Sequence, residues 1–169
     1  MQEFELDHAF AETLGASEEF QKWILSTSRF ARFAEGARLL MGEQQSARKN
    51  ARHWWKHWWS YMPDGSSSET DVFAVFEHGE GNRFALHFEN KPPHGILKMA
   101  QAAGYRRRAA FWANTARFLN YADFETILLA PASFIAAHKD CASQFDRCLA
   151  YEEVRDWVPA FALTGSQKN

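Results

Sequence analysis

The stretch Asp71-Val72-Phe73-Ala74-Val75-Phe76-Glu77-His78-Gly79-Glu80-Gly81-Asn82-Arg83-Phe84-Ala85-Leu86-His87-Phe88-Glu89-Asn90-Lys91 decides the fold. Two runs rich in β-branched and aromatic residues flank a short loop with two glycines, the signal of a β-hairpin. With Gly79-Glu80-Gly81 as the loop, His78 faces Asn82, and stepping along both strands sets Val72 opposite Phe88 and Asp71 opposite Glu89. One face then carries Val72, Ala74, Phe76, Phe84, Leu86 and Phe88 and is core. A slip of one residue would exchange the two faces, so the alternation itself pins the register. Asp71 and Glu89 share the other face with Cβ atoms about 5 Å apart, and Lys91, two residues further on, projects to that face too. Glu69 is the cross-strand partner of Lys91 in this register, and His87 lies one step below the carboxylates, where it can orient a neighbouring group.

Outward from the hairpin, Pro92-Pro93 cannot donate to a ladder and ends the second strand. A helix is expected from Ile96 to about Leu119, then a buried strand at Thr126-Ile127-Leu128-Leu129-Ala130, stopped by Pro131. Phe134 to Phe161 reads as helical pieces. Upstream, residues 1–62 read as a helical section. It has a short element near His8 to Leu14, a second capped by Ser17 with Glu18 and Glu19 in its first turn, and a longer one from Glu35 towards Tyr61. Trp54, Trp55, Trp58 and Trp59 follow the spacing of one face of that last helix. Burial against a sheet is the plainer reading; stacking on bases or a subunit interface, as in a homodimer or with a protein partner, are the alternatives. The loop Pro63-Asp64-Gly65-Ser66-Ser67-Ser68 is too short to separate domains. Residues 1–169 therefore read as one domain with its core over 68–158, and the polar tail from Thr164 to Asn169 is expected to fray.

The totals agree. A chain of 169 residues with 46% hydrophobic and 24% charged residues can bury one core. It contains no apolar run near the ~18 residues that span a bilayer, so no membrane partner is expected. The polar, acidic start, Met1 to Asp7, does not resemble a secretory signal, and a cytoplasmic location is expected. Cys141 and Cys148, two turns apart if helical, are expected to remain thiols. A net charge of −2 offers no global positive field, leaving local clusters at Arg48, Lys49, Arg52 and His53 and at Arg106, Arg107 and Arg108 for any nucleic acid.

Two carboxylates at the end of a hairpin repel one another unless a cation lies between them, and Mg²⁺ favours a few carboxylates, waters and phosphate oxygens. Mn²⁺ can substitute. Such an ion polarises a phosphate and acidifies a bound water, while an adjacent ammonium orients that water or stabilises developing charge. A solvent-facing salt-bridge ladder of Glu69, Asp71, Glu89 and Lys91 has the same spacing. His53 and His57, at i and i+4, are a second metal-binding pattern, though the Glu of a zinc protease is missing between them.

Ser68-Glu69-Thr70-Asp71-Val72 followed by Leu86-His87-Phe88-Glu89-Asn90-Lys91 resembles the catalytic core of the PD-(D/E)xK phosphodiesterase superfamily. The likeness is greatest to a bacterial branch in which a Ser-Glu-Thr/Ser-Asp strand precedes a Glu-Asn-Lys strand. It extends to Gln101 and Tyr105 as a Gln-x-x-x-Tyr pattern, to Thr126–Pro131 as a later core strand, and to Phe145–Val154 with Glu152-Glu153 as a closing segment. The resemblance implies an α/β fold with a restriction-endonuclease-like αβββαβ core, a mixed sheet flanked by helices. It also implies a metal-dependent nuclease acting on DNA, with Asp71 and Glu89 binding Mg²⁺ and Lys91 serving catalysis. A helix glutamate often joins the site in this family; Glu43 is the first candidate and Glu35 the second. Lys98, Gln101, Tyr105 and Arg108 form one polar helical stripe, from which Gln101 and Tyr105 would support the site. Lys98 and Arg108, with Arg52, would contact nucleic-acid backbone. A module that keeps this fold without catalysis, inside a larger assembly, is the rival expectation.

Overall fold

Alternation along residues 72–88 organises the chain around the hairpin. The computed structural model describes residues 1–165, so 166–169, most of the polar tail, lie outside the described residues. Its elements are α1 (Glu3–Ala16), α2 (Glu18–Ser26), β1 (Ala37–Leu39), α3 (Met41–Ala47), β2 (Trp58–Tyr61), β3 (Ser67–Thr70), β4 (Val72–His78), β5 (Asn82–Asn90), α4 (Met99–Trp112), β6 (Asp123–Ala130), α5 (Ala132–Ala137), α6 (Lys139–Ala142), β7 (Arg147–Ala150) and α7 (Tyr151–Val154), with short 3-10 turns between some of them. Five strands form one mixed sheet in the order β1-β4-β5-β6-β7. The first two pairings are antiparallel and the last two parallel. The hairpin register is the expected one, with Val72 opposite Phe88 and His78 opposite Asn82. Gly79 and Gly81, at φ 64° and 77°, supply the left-handed backbone that the three-residue tip requires.

Helices cover both faces. Val72, Ala74, Phe76, Phe84, Leu86 and Phe88 meet Leu6, Phe10 and Leu14 of α1 and Phe20 and Ile24 of α2 in the larger core. Phe10 and Phe88 pack edge to face with centroids 4.8 Å apart. On the opposite face Phe73, Val75 and Ala85 pack against Trp58, Trp112, Phe118 and Tyr121. Ala102 and Tyr105 of α4 cover Leu128 and Ala130. Ser17 caps α2 as its sequence requires, its Oγ accepting from the Phe20 N–H at 3.1 Å.

The segment expected to be one long helix from Glu35 towards Tyr61 is instead β1, the short α3, a loop and β2. The physical reason lies in the free edge of β4. β1 pairs only as far as Leu39 opposite Phe76. Beyond it, the buried Gln44 amide acts in place of a strand: Nε2 donates to the Phe73 carbonyl at 3.0 Å and Oε1 accepts from the Val75 N–H at 2.8 Å. The Trp55 carbonyl accepts from the Phe73 N–H at 3.1 Å. These bonds need an extended, looping chain. Arg48 holds the loop by donating to the carbonyls of His53, Trp54, Lys56 and His57, with its guanidinium 4.0 Å above the Trp58 ring. Trp54 and Trp55 thus join one core and Trp58 the other, which a single helical face could not do; Trp59 stays 39% exposed. Three of the four tryptophans are thus buried against the sheet, the plainer expectation, but in two cores and not along the single helical face that was expected. Cys141 in α6 and Cys148 in β7 are both free thiols, on separate elements rather than one helix. No helix among the described residues is long and apolar enough to cross a membrane.

Candidate active site

The site forms where β4 begins and β5 ends. Asp71 sits in the bend between β3 and β4; its Oδ2 accepts from the Asn90 N–H at 3.1 Å. Its own N–H donates to the Tyr105 hydroxyl at 3.2 Å, and that hydroxyl donates to the Phe88 carbonyl at 3.2 Å. Tyr105 therefore stitches the entry of one strand to the exit of the other. The ladder does not continue past this bend. β3 turns away to pair with β2, with Glu69 opposite Trp59, and the Glu69 carboxylate lies 3.0 Å from His57 Nδ1. The expected pairing of Glu69 with Lys91 is thus corrected.

Glu89 is 1% exposed. Its Oε1 accepts from Gln101 Nε2 at 2.6 Å and from Lys91 Nζ at 2.7 Å, while Oε2 is buried with no hydrogen-bond partner. Lys91 also lies 3.5 Å from Glu3 Oε2. Burial raises the Asp71 carboxyl well above its ordinary value, and the charges of Glu89 and Asp7 push it further. Burial acts to lower the Lys91 ammonium, but Glu89, by charge and hydrogen bond, and Asp71 overcome it, so its pKa rises. Lys91 is a cation at neutral pH.

The helix acids that approach this cluster come from α1. Asp7 is 2% exposed, and burial lifts its pKa to about 7 against the Asn90 side chain, whose Nδ2 donates to Asp7 Oδ1 at 2.7 Å. Tyr151 donates to the other end of the Asn90 amide. Asp7 carried a legible signal: with Phe10, Ala11 and Leu14 it falls at i, i+3, i+4 and i+7, on the apolar face of the helix. Glu43, the expected helix acid, instead bonds Arg38 at 2.8 Å, and Arg38 pairs with Glu77 near the hairpin tip, at the opposite end of β4. Glu35 pairs with Lys22 at 3.2 Å. Neither joins the site.

Gln101 and Tyr105 reach the site, but the polar stripe divides at Arg108. Arg108 is 3% exposed; its Nε donates to Thr70 Oγ1 at 2.9 Å, Nη1 donates to Ser68, and the guanidinium stacks 4.0 Å from the Tyr105 ring centroid. It is an interior tie between α4 and β3, which corrects its expected contact with DNA. His87 belongs to the same buried network. Thr70, whose Oγ1 accepts from the Arg108 Nε–H, lies 3.0 Å from His87 Nδ1, and Tyr121, which donates to the Ala109 carbonyl, lies 3.2 Å from Nε2. With the Tyr121 proton spent on Ala109, Nε2 donates to the Tyr121 oxygen; burial, with the Arg108 charge, lowers the His87 pKa well below its ordinary value, so the ring is neutral and Nδ1 accepts from the Thr70 hydroxyl. His87 supports α4 rather than the carboxylates. Lys98, one turn before Gln101, and Arg52, in the loop after α3, are exposed.

Beside Lys91 opens a cleft of about 650 Å³ at the carboxyl ends of the parallel strands, lined by Glu3, Pro92 and His94, by Pro131 after β6, and by Tyr151 and Arg155 after β7. Open sheets commonly place ligand sites there. Asp71 and Glu89 offer hard carboxylate oxygens of the kind Mg²⁺ takes, and the unpartnered Glu89 Oε2 beside a second carboxyl of raised pKa is the electrostatic situation a divalent ion relieves. Across known proteins, the chain matches no family model, no curated protein and no solved structure.

Proposed function

We propose that this chain is a divalent-metal-dependent nuclease with a restriction-endonuclease-like core, hydrolysing phosphodiester bonds in DNA. The observation that carries the reading is the buried, unpartnered Glu89 Oε2, set beside Asp71 with Lys91 Nζ 2.7 Å from the other carboxylate oxygen. Asp71 and Glu89 would hold Mg²⁺ or Mn²⁺; the bound ion supplies Lewis acidity and an acidified water. Lys91, charged at neutral pH, serves as a donor to the attacking water or to charge developing on the phosphoryl oxygens, not as a base. Gln101 fixes the rotamer of Glu89, and Tyr105 fixes the backbone of Asp71. The exposed Arg155 of the cleft, with Lys98 and Arg52, would offer positive charge to phosphate, and the exposed His94 a ring nitrogen for hydrogen bonding.

Purified protein with Mg²⁺ or Mn²⁺ is expected to nick or degrade DNA, and Lys91→Ala to reduce cleavage by a factor of about 10² or more, as loss of one positioned charge does. Cleavage unchanged in Lys91→Ala would remove the assignment. One feature favours a second reading, a nuclease-fold binding module without catalysis: Glu89 and Lys91 are 1% and 5% exposed and already neutralise one another. Metal titration separates the two, since a module of that kind has no need of Mg²⁺ at Asp71 and Glu89.

A further inference from the structure

Away from the carboxylates, α1 turns a different set of ligands to solvent. His8 and Glu12 stand at i and i+4, on one face of the helix, with His8 Nδ1 3.9 Å from Glu12 Oε1. His53, from the loop after α3, faces them. Among the described residues this is the one trio of His, Cys, Asp or Glu side chains with ligand atoms all within 4.8 Å of one another. The pattern read in the sequence, His53 with His57, does not assemble: His57 adopts φ 61° and turns to Glu69. His53 finds its partner imidazole on another element.

We infer that His8, Glu12 and His53 form a Zn²⁺ site, distinct from the Asp71 and Glu89 pair. In a tetrahedral zinc site, metal–ligand bonds of about 2.0–2.1 Å place the ligand atoms roughly 3.3–3.5 Å apart, so closing this trio takes a shift of about 1.5 Å or less in solvent-facing side chains. Two imidazoles and one carboxylate are the donor set of open zinc sites, whereas Mg²⁺ and Ca²⁺ favour oxygen alone. The rings are already oriented. Phe4 stacks on His8 at 6.0 Å and meets the His53 ring edge-on at 5.8 Å, while Trp55 lies 5.4 Å from His53. Arg48 anchors the loop through the His53 carbonyl. Arg52 and Lys56 flank His53 and oppose a dication, Glu12 attracts it, and the trio leaves a fourth position to water. Occupancy would clamp α1, which also carries Glu3 and Asp7, to the tryptophan loop.

The test uses the full, untagged chain stripped with a chelator and titrated with Zn²⁺ by calorimetry and with Co²⁺ by visible absorption. In an Asp71→Asn background, which removes one of the two carboxylates proposed to hold Mg²⁺, one ion per chain is expected, at least tenfold weaker when His8→Ala or His53→Ala is added and unchanged when His57→Ala is added. Melting curves of the metal-free variants establish that each is folded, and Glu12→Gln, an exposed change, gives a further arm in which weaker binding is expected. Absence of one-to-one binding in the Asp71→Asn background, an unchanged affinity on adding His53→Ala, or an equal loss on adding His57→Ala would overturn the inference.

Discussion

Near neutral pH Asp7 stands between carboxylic acid and carboxylate, because burial lifts its native pKa to about 7 from an ordinary 3.8. Below pH 3.8 both folded and unfolded chains hold the proton. Between the two values the unfolded chain releases it while the folded one keeps it, so stability falls as pH rises and levels off above 7. At ~1.36 kcal/mol per pH unit this group alone removes roughly 4 kcal/mol by pH 8. Asp7→Asn keeps an acceptor for Asn90 and loses the titration. It should therefore be more stable than the parent at pH 8 by about 1–3 kcal/mol, with the gap vanishing near pH 4, in urea unfolding at both values. A variant less stable at pH 8 would refute this account. Residues of this kind are half legible in a sequence. Helical periodicity puts Asp7 on the apolar face, but its effect on Asp71 depends on β5 ending beside α1, which no local pattern records. Glu89 and Lys91 were legible because strand alternation places them without help from the rest of the molecule. Glu69 was misread because a single bend at Asp71 sends β3 to another sheet.

Elements are set here by who satisfies whose backbone. β4 is a central strand with a three-residue neighbour, and Gln44 completes what β1 leaves unpaired. Gln44→Ala would strand the Phe73 carbonyl and the Val75 N–H in the interior, at about 2–4 kcal/mol, whereas an exposed change nearby such as Ser46→Ala should cost less than about 0.5 kcal/mol. Chemical denaturation of the two variants measures the contrast, and equal midpoints would show that the amide is dispensable. This edge repair also explains the failure of the helical expectation for the tryptophan run. Spacing of i, i+1, i+4 and i+5 fits one helical face, yet it equally fits a loop that feeds two cores. The choice was made by Arg48 and by the needs of a strand met only later in the chain. In contrast, the Ser17 cap, the β4–β5 register and the β6 strand depend on nearby residues and were read directly.

For the molecule as a whole, α1 couples the core to the carboxylate cluster. Its inner face packs on β5 through Phe10 and Phe88, and its first two turns bring Glu3 and Asp7 to the carboxylate cluster. Phe10→Ala should cost about 3–5 kcal/mol by opening a cavity between α1 and the sheet. If α1 positions the cluster, DNA cleavage should fall further than the loss of folded protein accounts for, when activity is normalised to the folded fraction seen by circular dichroism. Activity that simply tracks that fraction would separate α1 from the chemistry. The α/β class and mixed sheet were legible from the run of strands and helices, but the docking of α1 across the sheet was not, since sequence separation hides it. The hairpin tip has a use of its own. Glu80 stands exposed between two glycines with open space around them, seven paired positions from the carboxylates. A fluorophore attached through Glu80→Cys, once Cys141 and Cys148 are replaced, would leave cleft and helix untouched and make the tip a reporting handle for nucleic-acid binding.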